Sequence, residues 1–509
     1  MAVVEPVEAP GEGRRRLRLR SPATLEPIGE IEVEPPEAVR AAVDRARKAQ
    51  REWAALPFRE RGRILLRAVD LLLERQDRFV EVIVRETGKP PAEALAMELF
   101  PACDALTFFA RRAERILADR RVPLHLLRTK RLRVVYKPVG VVGIITPWNF
   151  PFVLSLNPTV QALMAGNAVV LKPSEVTPCS GRLVGELLEA AGLPPDVLTV
   201  LLGDGETGAA LVEAGVDKIS FTGSVATGER VAEACGRNLV PCTLELGGKD
   251  ALIVCEDADL ERASSAAVFG AFANAGQACI SVERAYVVSE VADAFTRKVV
   301  EKTAALRQGP SGEYDLGPMM WDRQLEIVER HVRDAVEKGA RVLAGGRRNP
   351  EWPGLFYEPT VLVDVRPDML VMREETFGPV LPIVPVRDAE EAVALANDSP
   401  FGLSASVFTR DRRRGEALAR ALETGSAVVG DVLAAYGALE APFGGVKRSG
   451  IGRVNGEAGL RSFCHTQSVL VERFSRRSEM VWFPHGAAKS RRIRRAMRIL
   501  WGTPLGRWL

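Results

Sequence analysis

The chain has 509 residues, 47% of them hydrophobic and 27% charged, which is ordinary globular usage and excludes a disordered, collagen-like or low-complexity scaffold. Its 69 basic and 66 acidic side chains leave a net charge of +3, too small to predict a nucleic-acid partner, and none is expected. The sign is uneven: residues 473–509 hold ten Lys/Arg against Glu479, a local +9, so residues 1–472 carry 3 − 9 = −6.

Residues 38–84 and 91–120 carry apolar side chains at helical spacing, as at Ile64, Leu65, Ala68, Val69, Leu71 and Leu72, and are expected to be helices. From Leu132 to Thr146 the chain is β-branched and punctuated by Pro138, Gly140 and Gly143. It predicts two extended segments, the second a buried strand ending in a Thr-Pro-Trp-Asn turn. Strands at Ala168–Leu171, Val197–Leu202, Lys218–Phe221 and Thr243–Leu246 then alternate with helices at Gly181–Ala191, Gly208–Ala214 and Thr227–Cys235. That order implies a parallel sheet with helices on both faces. Past Gly248 a second series begins: strand Ala251–Val254, helix Leu260–Asn274, strand Ala285–Val288, helices Ala292–Leu306 and Arg323–Glu337, strand Val342–Ala344. The fold class is therefore α/β, with two parallel-sheet domains. Residues 464–473 read as one more extended run, able to pair with 122–137 in a small projecting sheet.

Near the end, Ile493, Ala496, Met497, Leu500 and Trp501 follow i, i+3, i+4, i+7, i+8, while Lys489, Arg491, Arg492, Arg494, Arg495 and Arg498 fill most of the remaining surface. This is a basic amphipathic helix flanked by Trp482, Phe483 and Trp508, the composition of an interfacial membrane anchor. Packing of the same helix on a dimer's acidic body stays open. No run of 18 apolar residues occurs, and Met1–Gly13 is acidic and Pro-rich without an apolar signal core. The seven cysteines form no C-x-x-C pair, which suits a reducing compartment, so a cytoplasmic protein is expected. Four scattered histidines without H-x-x-x-H spacing argue against a metal site, and His331, in an amphipathic run, is expected at the surface.

Several segments hold side chains suited to chemistry. Phe272-Ala-Asn-Ala-Gly-Gln-Ala-Cys279 places a cysteine after a small-residue turn, where a nucleophile finds an approachable backbone, although a free cysteine is more often a small core residue. Thr243-Leu-Glu245-Leu-Gly-Gly sets one carboxylate at the end of an apolar strand, either desolvated into a general base or facing solvent. The amide of Asn149 follows a strand at the C-terminal sheet edge, where it could steady an oxyanion. Lys172 and Glu175 reach the same edge, as ribose ligands or as a solvated pair. Phe221-Thr-Gly223-Ser-Val-Ala-Thr-Gly228 is a strand, glycine turn and helix start, a weakly specific anion site. Glu374-Glu375-Thr-Phe377-Gly-Pro379 is, by itself, a turn.

Taken in this order and closed by Ala441-Pro-Phe443-Gly-Gly-Val-Lys447-Arg-Ser-Gly-Ile-Gly452-Arg, these segments resemble the NAD(P)-dependent aldehyde dehydrogenase superfamily from about residue 20 to about 472. The tail resembles a sub-branch with extended C-termini. The resemblance implies a Rossmann-like cofactor domain (1–121 and 139–247), a catalytic domain (248–448), an oligomerisation extension (122–138 and 462–474) and a tail (475–509). It puts the nucleophile on Cys279, the general base on Glu245 and the oxyanion amide on Asn149. Lys172 and Glu175 fall where the adenosine ribose is held, Trp148, Gly223, Ser224 and Gly228 near the pyrophosphate, and Leu246, Glu375 and Phe377 elsewhere around the cofactor. A carboxylate at Glu175 favours NAD over NADP, while Lys172 leaves room for NADP.

The implied reaction is aldehyde to carboxylic acid through a cysteine thiohemiacetal and thioester. Phe150, Leu154, Ala278, Ile280, Tyr436 and Phe443 fall on an apolar substrate tunnel with no arginine for a substrate carboxylate. Medium or long aliphatic or aromatic aldehydes therefore suit it better than succinic semialdehyde. Val454 stands where many members have a Glu, which removes a possible second proton carrier, and His465 stands where many tetramers have an acid, so a homodimer or dimer of dimers is expected. The membrane contact, if made, falls on residues 487–501. The alternatives are a cofactor-independent cysteine esterase or thioesterase and a non-catalytic membrane-surface scaffold.

Overall fold

The computed structural model describes residues 2–7, 15–502 and 504. Trp508 and most of the acidic N-terminal stretch lie outside the described residues. Two compact units are present, one of residues 1–116 and 138–463, the other of residues 117–137 and 464–509.

The first unit contains a six-stranded sheet in the order Gly450–Ile451, Cys242–Glu245, Lys218–Thr222, Val141–Ile145, Ala168–Lys172, Leu198–Val200. All pairings are parallel except that of the two-residue edge strand. The order reverses at the neighbours Val141–Ile145 and Lys218–Thr222. Such a switch point opens a crevice beyond the C-terminal strand ends, where open α/β sheets bind ligands. Strands Val141–Ile145 and Ala168–Lys172 are buried at every position, which is why they read as continuous apolar runs and not as alternating ones. Helix Val153–Met164 is likewise buried all round.

A seven-stranded sheet follows, ordered Arg341–Ala344, Thr360–Val363, Val380–Val386, Arg284–Val288, Ala251–Val254, Ser404–Phe408, Ser426–Val429, and parallel except at its first pair. The sequence reading assigns none of Thr360–Val363, Val380–Val386, Ser404–Phe408 and Ser426–Val429. It also omits an antiparallel N-terminal sheet of Val4–Val7, Arg16–Arg20 and Pro27–Glu32. In that sheet the alternation Arg-Leu-Arg-Leu-Arg buries Leu17 and Leu19 and turns the arginines outward.

Two expectations are corrected. The helix from Leu260 ends at Phe272, because Asn274 and Ala275 adopt left-handed φ of 55° and Gly276 has φ of 71°. His331 lies on the buried face of helix Asp322–Glu337 with Leu325, Val328, Val332 and Ala335, and is fully buried, not at the surface. Its ring nitrogens meet Thr376 Oγ1 at 3.2 Å and Glu374 Oε2 at 3.3 Å, which makes burial of an imidazole affordable.

The second unit is a three-stranded sheet ordered Cys464–Glu472, Lys130–Pro138, Arg120–Val122, with a helix at Ala487–Trp501. Arg120, expected to be helical, starts a strand, since its helix ends at Ile116. No described helix is long and apolar enough to cross a membrane.

Candidate active site

Strand ends of the six-stranded sheet deliver most of the candidates to one cavity of about 700 Å³. Ile145 leads into the turn carrying Trp148 and Asn149; Lys172 ends its own strand, with Glu175 three residues on; Gly223 and Ser224 follow Thr222; Glu245 ends the next strand. From the second sheet's side come Cys279, Glu375 and Phe377.

Asn149 is 2% exposed and held by its backbone. Its carbonyl accepts hydrogen bonds from Lys89 Nζ and Asn274 Nδ2, both at 3.0 Å, and its own Nδ2 donates to the Gln277 carbonyl at 2.9 Å. An amide NH₂ has two protons, so one remains to meet a ligand oxygen. Lys89 also pairs with Glu98 at 2.9 Å; both side chains are at most 1% exposed. The second Glu98 oxygen accepts the N–H groups of Phe152 and Val153 at 3.0 Å, satisfying the first turn of helix Val153–Met164. Glu98 reaches this place from a π-helical turn, Leu95–Leu99, and such turns cluster at functional sites.

The turn that ends in Cys279 is fixed from several sides. Asn274 Nδ2 donates to the carbonyls of Asn149 and Gln277, and the Asn274 N–H donates to Glu93 Oε1 at 2.7 Å. The Gln277 side chain donates to the Asn274 carbonyl at 2.8 Å and accepts from the Met320 N–H at 2.8 Å. A Cβ on Gly276 would lie 2.2 Å from the Gly378 carbonyl oxygen, so only glycine, also suited to φ of 71°, lets these loops touch.

The electrostatics separate the reactive groups from their supports. Burial, and then the nearby carboxylates of Asp250, Glu245 and Glu375, push the Cys279 thiol well above its ordinary range. Glu245 is 6% exposed, neither oxygen has a hydrogen-bond donor among the described residues, and burial raises its pKa well above the usual carboxylate value against a smaller opposing effect of Arg453. Glu375 accepts the Gly248 N–H at 2.9 Å and is pushed up to about 8 by burial and by Glu283. Glu283, by contrast, accepts from the N–H groups of Thr376 and Phe377 and pairs with buried Lys249.

The groove fits a dinucleotide. Lys172 Nζ and Glu175 Oε2 are 3.0 Å apart at one end of the lining, with the Glu175 side chain 30% exposed. Ser224 caps helix Val225–Asn238, accepting the Thr227 N–H, and presents the helix N-terminus and Gly223 to the cavity. A Cβ on Gly247 would collide with Glu375 Oε2 at 2.2 Å. Phe377, at φ of 48°, stands edge-on to Trp148 at 5.3 Å. Gly228 does not line the cavity; its bare Cα admits Leu246, which does, since a Cβ there would lie 2.4 Å from Leu246 Cδ2.

The tunnel candidates divide. Leu154 lines the cavity. Ile280, Tyr436 and Phe443 form an apolar cluster with Cys279, Leu403 and Val454, with Tyr436 edge-on to Phe443 at 5.1 Å. Ala278 is buried, and the Phe150 ring lies 4.5 Å from the Lys89 ammonium. Sequence reasoning missed Lys89, Glu98, Glu93, Asn274 and Gln277. A charged pair inside a region of helical periodicity reads as solvated surface, and only Asn274, beside Gly276 in the cysteine turn, carried a local signal.

A half-buried thiol, a carboxylate without a donor among the described residues and an amide lie together on one cavity at the switch-point crevice of a parallel sheet, the place where nucleotide-dependent enzymes of this fold class bind their cofactor. The model of the aldehyde dehydrogenase family matches residues 9–469, and the chain belongs to that family. It is 41% identical over 463 residues to 4,4'-diapolycopene aldehyde oxidase of Methylomonas sp, covering 91% of this chain and 87% of the relative. It is 43% identical over 441 residues to a Mycolicibacterium smegmatis protein provisionally named succinate-semialdehyde dehydrogenase of the NADP(+) type, covering 86% and 85%. Among solved structures, an NAD-dependent aldehyde dehydrogenase from Sinorhizobium meliloti superposes with a TM-score of 0.88 at 36% identity, covering 94% of both chains. The protein is an enzyme that oxidises aldehydes.

Proposed function

We propose that Cys279 is the nucleophile, Glu245 the base and Asn149 the oxyanion donor of an NAD-preferring oxidation of a medium- or long-chain aliphatic or aromatic aldehyde to its acid. The observation that carries this reading is the convergence of the three at the head of one cavity, with Glu245 the buried carboxylate left without donors. The Cys279 thiol gives its proton to the base Glu245 as its sulfur adds to the aldehyde carbonyl, Glu245 releases that proton to solvent before it acts again, and the oxyanion formed is met by the free Asn149 N–H and the Cys279 backbone N–H. A nicotinamide dinucleotide, when bound, supplies the hydride acceptor. Glu245 takes the proton of the water that hydrolyses the thioester on Cys279 and frees the acid. Burial raises its proton affinity, which makes the deprotonated form a stronger base than an exposed carboxylate.

Apolar side chains packed with Cys279, namely Leu403, Phe443, Val454, Ile280 and Tyr436, support the lipophilic substrate. The carotenoid-derived name of the Methylomonas relative agrees with an apolar aldehyde, and the semialdehyde name of the mycobacterial one points to a smaller, acidic one. Glu175 supports NAD, as its carboxylate would accept a ribose 2′-OH and repel a 2′-phosphate. The strand Cys464–Glu472 lies at the edge of its three-stranded sheet, a position that a second copy could extend, which supports a homodimer or dimer of dimers. We place the enzyme in the cytoplasm, with residues 487–501 as its contact to an anionic membrane surface.

The test follows reduced-cofactor formation over a series of aldehydes of increasing chain length, with NAD and NADP compared. Turnover should rise with chain length, favour NAD, and fall by on the order of 10⁵-fold in Cys279→Ala. A preference for succinic semialdehyde, or for NADP, would overturn the respective half of the reading. Ester cleavage without cofactor reduction would favour the esterase alternative.

A further inference from the structure

The helix Ala487–Trp501 holds six Lys/Arg, no carboxylate and no buried residue. Glu479, the acidic side chain of the tail, is engaged elsewhere: Lys130 binds it at 3.4 Å and Glu472 at 2.7 Å. Among the described residues, no ion pair engages Lys489, Arg491, Arg492, Arg494, Arg495 or Arg498. Lys489 instead donates to the Trp482 carbonyl, which brings the segment Trp482–Phe483 beside the helix's first turn.

Large apolar side chains stand in water on this same unit. Trp482 is 54% exposed, Phe483 82%, Met497 52% and Trp501 61%, and among the described residues no other tryptophan is more than half exposed. Met497 and Trp501 share a helical face with Ile493, Ala496 and Leu500, with guanidinium groups on the remaining faces. Water favours neither exposed indoles nor a crowd of unpaired cations. A bilayer interface takes both, the rings at the acyl boundary and the guanidinium groups at the phosphates. A second copy of the chain would have to offer carboxylates and an apolar groove in fixed register, whereas lipid needs no register. The helix is roughly 22 Å long and falls short of the ~30 Å hydrocarbon core, so it would lie in the headgroup plane.

We propose that Trp482, Phe483 and helix Ala487–Trp501 form one surface that docks on an anionic lipid bilayer and lets the enzyme collect its aldehyde from the leaflet. This rests on, and deepens, the reading of the substrate as lipophilic. The full-length protein is sedimented with vesicles of phosphatidylcholine alone and of phosphatidylcholine mixed with phosphatidylglycerol. The mixed vesicles should carry it down and the neutral ones should not. Binding should weaken with salt and fall about a hundredfold or more in a variant combining Arg491→Gln, Arg492→Gln, Arg494→Gln and Arg495→Gln. A second variant combining Trp482→Ala, Phe483→Ala and Trp501→Ala should also bind more weakly.

Sedimentation with neither vesicle, equal sedimentation with both, or wild-type binding by the arginine variant overturns the proposal. So does a loss of oligomer mass in either variant, which would assign the surface to a second copy. Turnover of a short, water-soluble aldehyde shows that each variant is folded and separates the two readings. Turnover without vesicle binding sinks only this inference, whereas vesicle binding without turnover on any aldehyde sinks the proposed function and the collection of aldehyde with it, leaving the docking surface alone standing.

Discussion

Glu98 and Glu245 are buried carboxylates met by their surroundings in opposite ways. Glu98 is fully buried with both oxygens occupied, one by Lys89 and the other by the Phe152 and Val153 N–H groups, whereas Glu245 is 6% exposed with both oxygens empty of donors among the described residues. The same split recurs nearby, where Glu283 is fully answered and Asp250 keeps one oxygen unpartnered and a pKa raised well above normal by burial. A fold built for stability alone would pair or remove every such group. Glu245, without a donor on either oxygen among the described residues, lines the cavity with Cys279, while the paired Glu98 and Glu283 hold the backbone of neighbouring loops.

Substitutions sharpen that contrast. Glu245→Gln should cut steady turnover roughly 10²–10⁴-fold while leaving stability unharmed, because it removes an uncompensated buried acid. A single burst of reduced cofactor without further turnover is the signature to seek, and the acid limb of the rate profile, set by the raised Glu245 pKa, should vanish. Lys89→Met should behave in the opposite sense, leaving Glu98 buried and unpaired at a cost of about 3–5 kcal/mol, read in denaturant melts. Adding Glu98→Gln to it should return most of the stability; failure to do so would break the view that the pair is a clamp.

Asn149→Ala removes the oxyanion donor and should cost roughly 10²–10³ in turnover with cofactor affinity unchanged. A larger change in affinity than in turnover would move Asn149 from the reacting atoms to the cofactor.

The smallest effect concerns Glu93, pushed up to about 7 by burial. A carboxyl whose pKa is raised on folding lends its stability at low pH and loses it as pH rises through the folded value. Glu93→Gln should therefore match wild type in acid and exceed it by about 1–3 kcal/mol at mildly alkaline pH, measured as the difference in Tm between the two conditions.

The parallel sheets and the order of the site segments were legible because buried strands are continuous apolar runs and because each candidate follows a strand end. Glu245 was ambiguous until its surroundings were known, since an acid at a strand end looks the same dry or wet. Lys89 and Glu98 were hidden by the helical periodicity around them, and the π-helical turn that aims Glu98 inward has no sequence mark. His331 could have been found: it stands three residues after Val328 and one before Val332, on the face that the helix buries. The strands between 360 and 429 went unread because three of them are only four or five residues long and the fourth, Val380–Val386, carries Pro382 and Pro385, with short helices between them.

At Gly276 and Gly378 two backbones meet with no side chain between them. A cushion of methyl groups would let one loop shift while the other stayed put; bare backbone in contact transmits displacement directly. The segment carrying Phe377 and the turn ending in Cys279 are thus mechanically one part. Anyone who redesigns the Glu375–Phe377 segment should expect the setting of the Cys279 thiol to change with it, because neither loop can be moved alone from that side.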